Sequence, residues 1–335
     1  MHLIVIAGPT ATGKTAMAAE LAHRLETELI SADSRQVYRG LDLGTGKDLE
    51  EYRKFTPAVK YHLIDIVEPE AGFSLYQYQQ ACYQVLAAKS GNAGSSGAAE
   101  NAPMAAEVRR SGKNGGRHGN PDVMVMAGGT GLYIEAVLRR YRIANVPEDA
   151  DLRARLTGRA REDLEAELRA KDPSLAARAD LSSAKRIIRA LEVWHAAHAG
   201  TIEHSPPPPV DFTFSVFGTR LDRTGLRARI DARLEARLQA GMVEEVESLL
   251  ARGVTRERMQ VLGMEYREIS DHLAGLKNRD QMVADLRHEI HMLAKRQETW
   301  FRGMERRGVP VRWLEPGQDA AAIQVIWEQE RGENG

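Results

Sequence analysis

The sequence predicts an α/β fold, a parallel sheet flanked by helices with a small all-helical insertion domain, and three observations predict it. The apolar run Leu3-Ile4-Val5-Ile6-Ala7 leads directly into Gly8-Pro9-Thr10-Ala11-Thr12-Gly13-Lys14-Thr15 and then into a helical pattern from residue 16. Apolar runs of strand length recur at 28–31, 61–66, 123–127 and 212–218 with helical stretches between them, the alternation of a parallel sheet. From 146 to 199 the pattern is helical and rich in arginine, and it ends in Pro206-Pro207-Pro208-Pro209, a stiff spacer, before the sheet resumes. The expected organisation is therefore a core at 1–142, a helical insertion at 143–210, and the rest of the core with C-terminal helices at 211–335.

The glycine-rich stretch reads G-x-x-x-x-G-K-[ST], and with a strand before it and a helix after it this is the phosphate loop of a P-loop NTPase-like sheet. Its glycines let backbone amides turn toward a polyphosphate, Lys14 reaches the outer oxygens, and the Thr15 hydroxyl suits Mg2+. Gly8 to Thr15 are thus the expected phosphate contacts. The motif names a ligand class and not a reaction, since kinases, hydrolases and other enzymes that hold a diphosphate share it.

Composition narrows the rest. A chain of 335 residues suffices for one large α/β domain or a core with an insertion. Lys plus Arg, 46, nearly cancels Asp plus Glu, 47, so a nucleic-acid partner must be held by local basic patches. Cys82 is the only cysteine, which excludes an intramolecular disulfide and thiolate zinc sites and predicts a buried thiol. The absence of a basic leader, and of any apolar stretch near ~18 residues, predicts a cytoplasmic protein with no membrane partner.

In chain order, the strand at 28–31 ends in Ala32-Asp33-Ser34-Arg35-Gln36, which places Asp33 and Ser34 at the carboxyl edge of the sheet beside the phosphate loop. A carboxylate there serves as a magnesium partner, a general base or a helix cap. The loop 41–48 offers Thr45 and Lys47 as phosphate or substrate contacts. The run 61–66 reads as a strand carrying Asp65, either a metal-associated acid or a brace for a turn, with His62 structural. Residues 74–88 have helical spacing, and 89–121 are a low-complexity surface loop. The strand 123–127 closes on Gly128-Gly129-Thr130-Gly131, where an ATPase often carries an acid. The glycines allow close backbone approach and Thr130 supplies a hydroxyl.

In the insertion, Lys185 and Arg189 share a helix face with Arg186 beside them, while acids such as Glu162, Asp163, Glu165 and Glu167 alternate with the arginines, so RNA contact and solvated surface both stand. Asp222 caps a helix whose Leu226, Ile230, Leu234 and Leu238 form the buried stripe and whose Arg229 and Arg233 occupy another face, from which one or both reach the phosphate site. A long helix over 279–303 ends with Lys295, Thr299 and Arg302 on one face and Trp300 beside it, a combination that suits a phosphate backbone and a base, or else a cationic helix C-terminus with Trp300 in the core. A last strand at 311–314 precedes a polar tail.

Together GPTATGKT (8–15), SADSRQVY (31–38), LGTGKD (43–48), HLIDI (62–66), AGGTGLY (127–133), KRIIRALEV (185–193) and AKRQETWFR (294–302) closely resemble the tRNA dimethylallyltransferases, also called tRNA isopentenyltransferases. The resemblance implies transfer of a dimethylallyl group from its diphosphate to the exocyclic amine of the adenosine 3′-adjacent to the anticodon, with Mg2+ as cofactor and the anticodon stem-loop as partner of a monomeric enzyme. It implies diphosphate contacts from Lys14, Thr15 and Arg229, Thr15 as metal contact, Asp33 as proton acceptor, and Thr130 near the reacting base. It implies RNA contacts at Asp33, Ser34, Arg35, Gln36, Thr130, Arg153, Lys185, Arg186, Ile187, Ile188, Arg189, Lys295, Arg296, Gln297, Thr299, Trp300 and Arg302. The chain departs from the family at Gly44-Thr45-Gly46-Lys47-Asp48 and at Met264-Glu265. The rival readings are a small-molecule or nucleotide kinase, an isopentenyltransferase acting on free adenine nucleotide, and a non-catalytic tRNA-binding protein.

Overall fold

The protein is described by a computed structural model over residues 1–91, 120–315 and 317–333. Strand β1 (His2–Ala7) is central because it is apolar on both faces: Leu3 to Ala7 are all fully buried. It runs parallel to β4 (Val123–Gly128) on one side and β7 (Thr213–Gly218) on the other, with Ile4 level with Val125 and Ser215. Strands β2 (Leu29–Ser31) and β3 (Tyr61–His62) continue beyond β4, and β8 (Arg312–Trp313) lies beyond β7, giving the order β3-β2-β4-β1-β7-β8 with every pair parallel. The loops after β1, β2 and β4 therefore leave the sheet at one edge, where the phosphate loop opens into α1 (Lys14–Arg24).

Helices cover both faces. After the short α2 (Glu50–Arg53) comes α3 (Leu75–Lys89), which begins at Ser74 in a reciprocal capping box with Gln77. It buries Tyr78, Cys82 and Leu86 with α4 (Gly131–Leu138), and Phe301 and Met304 of the long helix join the same cluster. Cys82 is a buried free thiol, and burial pushes its pKa well up.

The second compact unit, residues 141–207, is separate from the unit formed by 1–140 and 208–335. It holds a two-residue antiparallel pair, β5 (Ala144–Asn145) with β6 (Glu203–His204), and helices α5 (Ala150–Leu156), α6 (Arg161–Lys171), α7 (Pro173–Arg178) and α8 (Ala184–His198). Its core is aliphatic: Leu152, Leu164, Leu168, Ile187, Ile188 and Leu191.

After β7, α9 (Arg223–Gln239) starts at Asp222, whose carboxylate accepts from the Thr224 and Gly225 amides. Helices α10 (Met242–Ala251), α11 (Arg256–Leu262) and α12 (Met264–Leu273) follow. They pack a third apolar cluster with α13 (Arg279–Arg306), whose Met282 and Leu286 join Val37, Leu234 and Tyr266.

Two expectations change, and a third falls mostly outside the described residues. The run at 61–66 pairs with β2 only at Tyr61 and His62, because Leu63 and Asp65 take positive φ and their chain turns under the loop at 36–37, where Asp65 N donates to Gln36 O at 3.1 Å. The polar tail contains α14 (Ala320–Glu333), whose Ala320, Ile323 and Trp327 lie at helical spacing and join the core cluster of α1. Of the loop expected at 89–121, residues 92–119 lie outside the described residues.

Candidate active site

The end of β1, the start of α1, the end of β2, the end of β4 and the last turns of α13 enclose one small cavity of about 60 Å³. Its lining includes Thr10, Lys14, Thr15, Asp33, Gly129 and Gln297. Residues from positions 10 to 297 meet there because parallel strands deliver their following loops to a single edge. Thr15 and Lys14 also line an adjoining cleft of about 290 Å³ with Asp48, Glu51, Arg229 and Arg233.

Close approach of β4 to β2 explains the Gly-Gly-Thr sequence. A Cβ on Gly128 would stand 2.1 Å from Ala32 O, so only glycine lets the β4 loop lie against the end of β2. Thr130 is then fixed from both directions: its amide donates to Ala32 O at 3.1 Å, and its Oγ1 accepts from Ser34 N at 3.0 Å. One oxygen of Asp33 accepts from Arg35 N at 2.9 Å, which orients the carboxylate while leaving its second oxygen for the cavity.

Lys14 donates to Pro9 O within its own loop. Burial first, and Arg233 second, bring its pKa down to about 7 against the opposing pull of Asp33 and Asp48. Two cations from α9 stand at this end of the site. Arg233 pairs with Asp48 and reaches Gly46 O at 3.4 Å, and Arg237 lies 3.9 Å from the same carboxylate. Burial and the neighbouring Arg233 lower Arg237 to about 10. Arg233 is one of the two arginines that the sequence directs to the phosphate site, Arg237 is missing from that set, and Arg229 is an exposed side chain on the rim of the larger cleft. The same four-residue spacing, carried one step further, is the signal that could have found Arg237.

Gln297 joins the two loops. Its Oε1 accepts from Thr10 N at 2.8 Å and its Nε2 donates to Gly129 O at 3.0 Å, so one amide bridges the phosphate loop and the Gly-Gly-Thr loop. Gln36 acts similarly on the other side, accepting from Ser31 Oγ at 2.9 Å and donating to Gly46 O at 3.1 Å. The resemblance assigns both to RNA, but the structure engages both ends of each amide within the protein. Trp300 packs over Gly131, where an added Cβ would meet the indole at 2.1 Å, and Arg307 stacks 5.3 Å from its ring. Its ring is thus half-buried in the core, while Lys295, Arg296, Thr299 and Arg302 of the same helix face solvent. Arg302 pairs with Glu298 at 2.5 Å. Arg35 is exposed and donates to Val261 O.

In the insertion unit, the basic set divides. Arg153 grips the buried Glu192 at 2.7 and 3.2 Å and Arg189 binds the same carboxylate at 2.8 Å, so these two arginines neutralise an internal acid. Ile187 and Ile188, grouped with the RNA contacts, have side chains in the aliphatic core. Lys185 and Arg186 are exposed, Arg186 with Asp180 at 2.8 Å.

Lys47 and Asp65 pair with each other. Lys47 is 1% exposed and donates to Tyr38 O at 2.8 Å, to Asp42 at 2.6 Å and to Asp65, which leaves no proton for a phosphate. Asp65 is a brace for that turn rather than a metal-associated acid. Glu245 secures the same loop by accepting from three successive amides, Asp42, Leu43 and Gly44, at 2.7 to 3.1 Å, and from Tyr266 OH at 2.7 Å. His62 meets Glu28 at 2.5 Å and is structural.

A family model described as IPP transferase matches residues 36–94 and 115–304, and another described as Isopentenyl transferase matches 1–61. The chain is 42% identical over 318 residues to tRNA dimethylallyltransferase 1 of Geotalea uraniireducens, which covers 95% of this chain and 94% of that protein. The full-length tRNA isopentenylpyrophosphate transferase of Bacillus halodurans superposes with a TM-score of 0.62 at 29% identity, over 99% of this chain and 96% of that one. A eukaryotic dimethylallyltransferase acting on tRNA, 18% identical, shares the fold with a TM-score of 0.68 over 99% and 80% of the two chains. A phosphate loop facing a carboxylate at the sheet edge, a family model matched over most of the chain and a near full-length relative lead to one assignment: the chain belongs to the IPP transferase family.

Proposed function

We propose that this chain transfers a dimethylallyl group from dimethylallyl diphosphate to the exocyclic amine of the adenosine 3′-adjacent to the anticodon in tRNAs, giving isopentenyladenosine, and that it works as a cytoplasmic monomer on the anticodon stem-loop. The observation that carries this reading is that Asp33 lines the same cavity as Lys14 and Thr15. A kinase needs charge stabilisation at a transferred phosphoryl group. Prenyl transfer instead needs a cradle for a departing diphosphate and, within reach, a base for the nucleophile.

In this mechanism the amine nitrogen bonds to the first prenyl carbon as that carbon's bond to the diphosphate oxygen breaks. Lys14, Arg229 and Arg233 stabilise the negative charge that collects on the leaving group. The carboxylate of Asp33, held by the Arg35 amide, takes the amine proton. Thr130, fixed between Ala32 and Ser34, positions the base. The adenosine must leave its stack to reach the cavity. The exposed face of Lys295, Thr299 and Arg302 meets the RNA backbone, and Lys185 and Arg186 add cationic surface on the insertion.

The donor set suits Mg2+. Thr15 lines both cavities, and the Asp48 and Glu51 carboxylates line the larger one, all hard oxygen donors, as expected where substrate phosphates complete the coordination. When bound, the ion would neutralise diphosphate charge.

The test is to offer labelled dimethylallyl diphosphate with an anticodon stem-loop and, separately, with AMP, and to run ATP phosphate transfer in parallel. Label entering the stem-loop alone is the expected result. Label entering AMP alone, or phosphate transfer without prenylation, would overturn the proposal.

A further inference from the structure

The polar groups around the 60 Å³ cavity can be sorted by what already holds them. Lys14 donates to Pro9 O, Arg233 to Asp48, Thr45 to Leu41 O, and Gln36 and Gln297 use both ends of their amides. Asp33 keeps one oxygen and already has a part in the reaction proposed above, and the free hydroxyls of Thr10 and Thr15 belong to the phosphate loop. Tyr52 of α2 is left over. It lines this cavity, is only 3% exposed as a residue, and its hydroxyl makes no hydrogen bond to a described residue. The hydroxyl oxygen itself keeps some accessible surface, so it is open to a ligand in the cavity.

The rest of the residue is fixed. Its ring packs against Tyr61 with centroids 4.8 Å apart and belongs to the core cluster with Leu21, Leu29 and Val59. Its backbone amide donates to Leu49 O at 3.1 Å and its carbonyl accepts from Val59 N at 2.9 Å. A tyrosine phenol, with an ordinary pKa of about 10, keeps its proton at neutral pH. A rigid, protonated phenol beside Lys14 and Thr15 is a preorganised donor for an anionic oxygen. The preceding residue, Glu51, lines the adjoining cleft with Lys14, Thr15 and Arg229, so this turn of helix lies on the phosphate side.

We propose that the Tyr52 hydroxyl binds the diphosphate of the prenyl donor by donating a hydrogen bond to a non-bridging oxygen, a substrate contact additional to the phosphate loop. This rests on the diphosphate reading of the site. The donor grips the same oxygens before and after carbon–oxygen cleavage, so it contributes to donor affinity and to leaving-group stabilisation together. It transfers no proton.

The experiment uses the full chain and inorganic pyrophosphate as the probe, with titration calorimetry on the wild type, Tyr52→Phe and Tyr61→Phe, supported by kinetics for donor and stem-loop. Phenylalanine keeps the ring in its packing, and thermal melting verifies each fold. Tyr52→Phe should bind pyrophosphate about ten- to a hundredfold more weakly, the effect of losing a hydrogen bond to a charged group. The kcat/KM for the donor should fall in step, with the KM for stem-loop unchanged and Tyr61→Phe like the wild type. Equal binding by Tyr52→Phe and wild type would overturn the Tyr52 contact alone, as would equal weakening in both variants. A wild type that does not bind pyrophosphate would instead overturn the reading of the site itself.

Discussion

Replacing Gln297 with alanine removes both hydrogen bonds that tie Thr10 N to Gly129 O through one side chain, at 2.8 and 3.0 Å. Each leaves a partly buried backbone group without its partner. At about 1 kcal/mol per neutral hydrogen bond, with some recovery by water, the two loops lose roughly 1–2 kcal/mol of mutual positioning, about a tenfold loss in donor kcat/KM. Gln297→Glu is more informative. Its carboxylate still accepts from Thr10 N but turns an oxygen toward the Gly129 carbonyl, and it adds a negative charge to a cavity meant for an anion. Two unit charges about 6 Å apart at an effective dielectric near 20 repel by roughly 3 kcal/mol, on the order of a hundredfold in affinity. The expected order of donor affinity is wild type, then alanine, then glutamate, measured as pyrophosphate Kd and donor KM with melting temperature as a check on folding. If Gln297→Ala instead raised only the KM for the RNA and left donor binding intact, the bridging role would be refuted and the RNA role implied by the resemblance restored.

Asp33→Ala should abolish turnover while largely sparing stem-loop binding; lost binding with normal catalysis at saturating RNA would reverse the roles assigned here. Lys295→Ala should weaken RNA binding uniformly across sequences and reduce the slope of log affinity against log salt by about 1, readable by titrations at several salt concentrations. Glu28 gives a stability signature. Burial alone would push its pKa up, but His62, Lys60 and Lys89 outweigh that and hold it at about 2. Because the folded value lies below the ordinary 4.5, its contribution, about 2–3 kcal/mol, is present above that pH and lost as pH falls toward 2. Glu28→Gln should therefore be less stable at neutral pH and lose less on acidification over that window, as urea melts at each pH would show.

Much of this was legible in the residues because it is local. The phosphate loop, the strands around Leu3 to Ala7 and Val123 to Ala127, and Asp33 at the end of a strand each follow from patterns within about a dozen positions. The arrangement that makes them a site is not local. Gln297 bonds residues 287 and 168 positions away, a pairing that no spacing rule encodes. Lys47 looked like a phosphate contact because glycines surround it, yet it lies inside the fold with two acids drawn from separate turns. Arg153 and Arg189 carry the charge expected of an RNA surface but meet Glu192, an acid whose burial only packing reveals. The last helix was hidden by its polar composition, its three core residues being sparse among charges.

The contrast between the two lysines reaches beyond binding. Lys14, brought down to a pKa of about 7 by burial, has its amine about half uncharged at neutral pH and so open to an acylating reagent, whereas Lys47 is only 1% exposed. The nucleotide-style loop thus supplies a built-in footprint. Mild acylation should mark Lys14 in the free enzyme and pass it over once an anion has restored its charge, so occupancy can be followed by mass spectrometry with no label on the substrate.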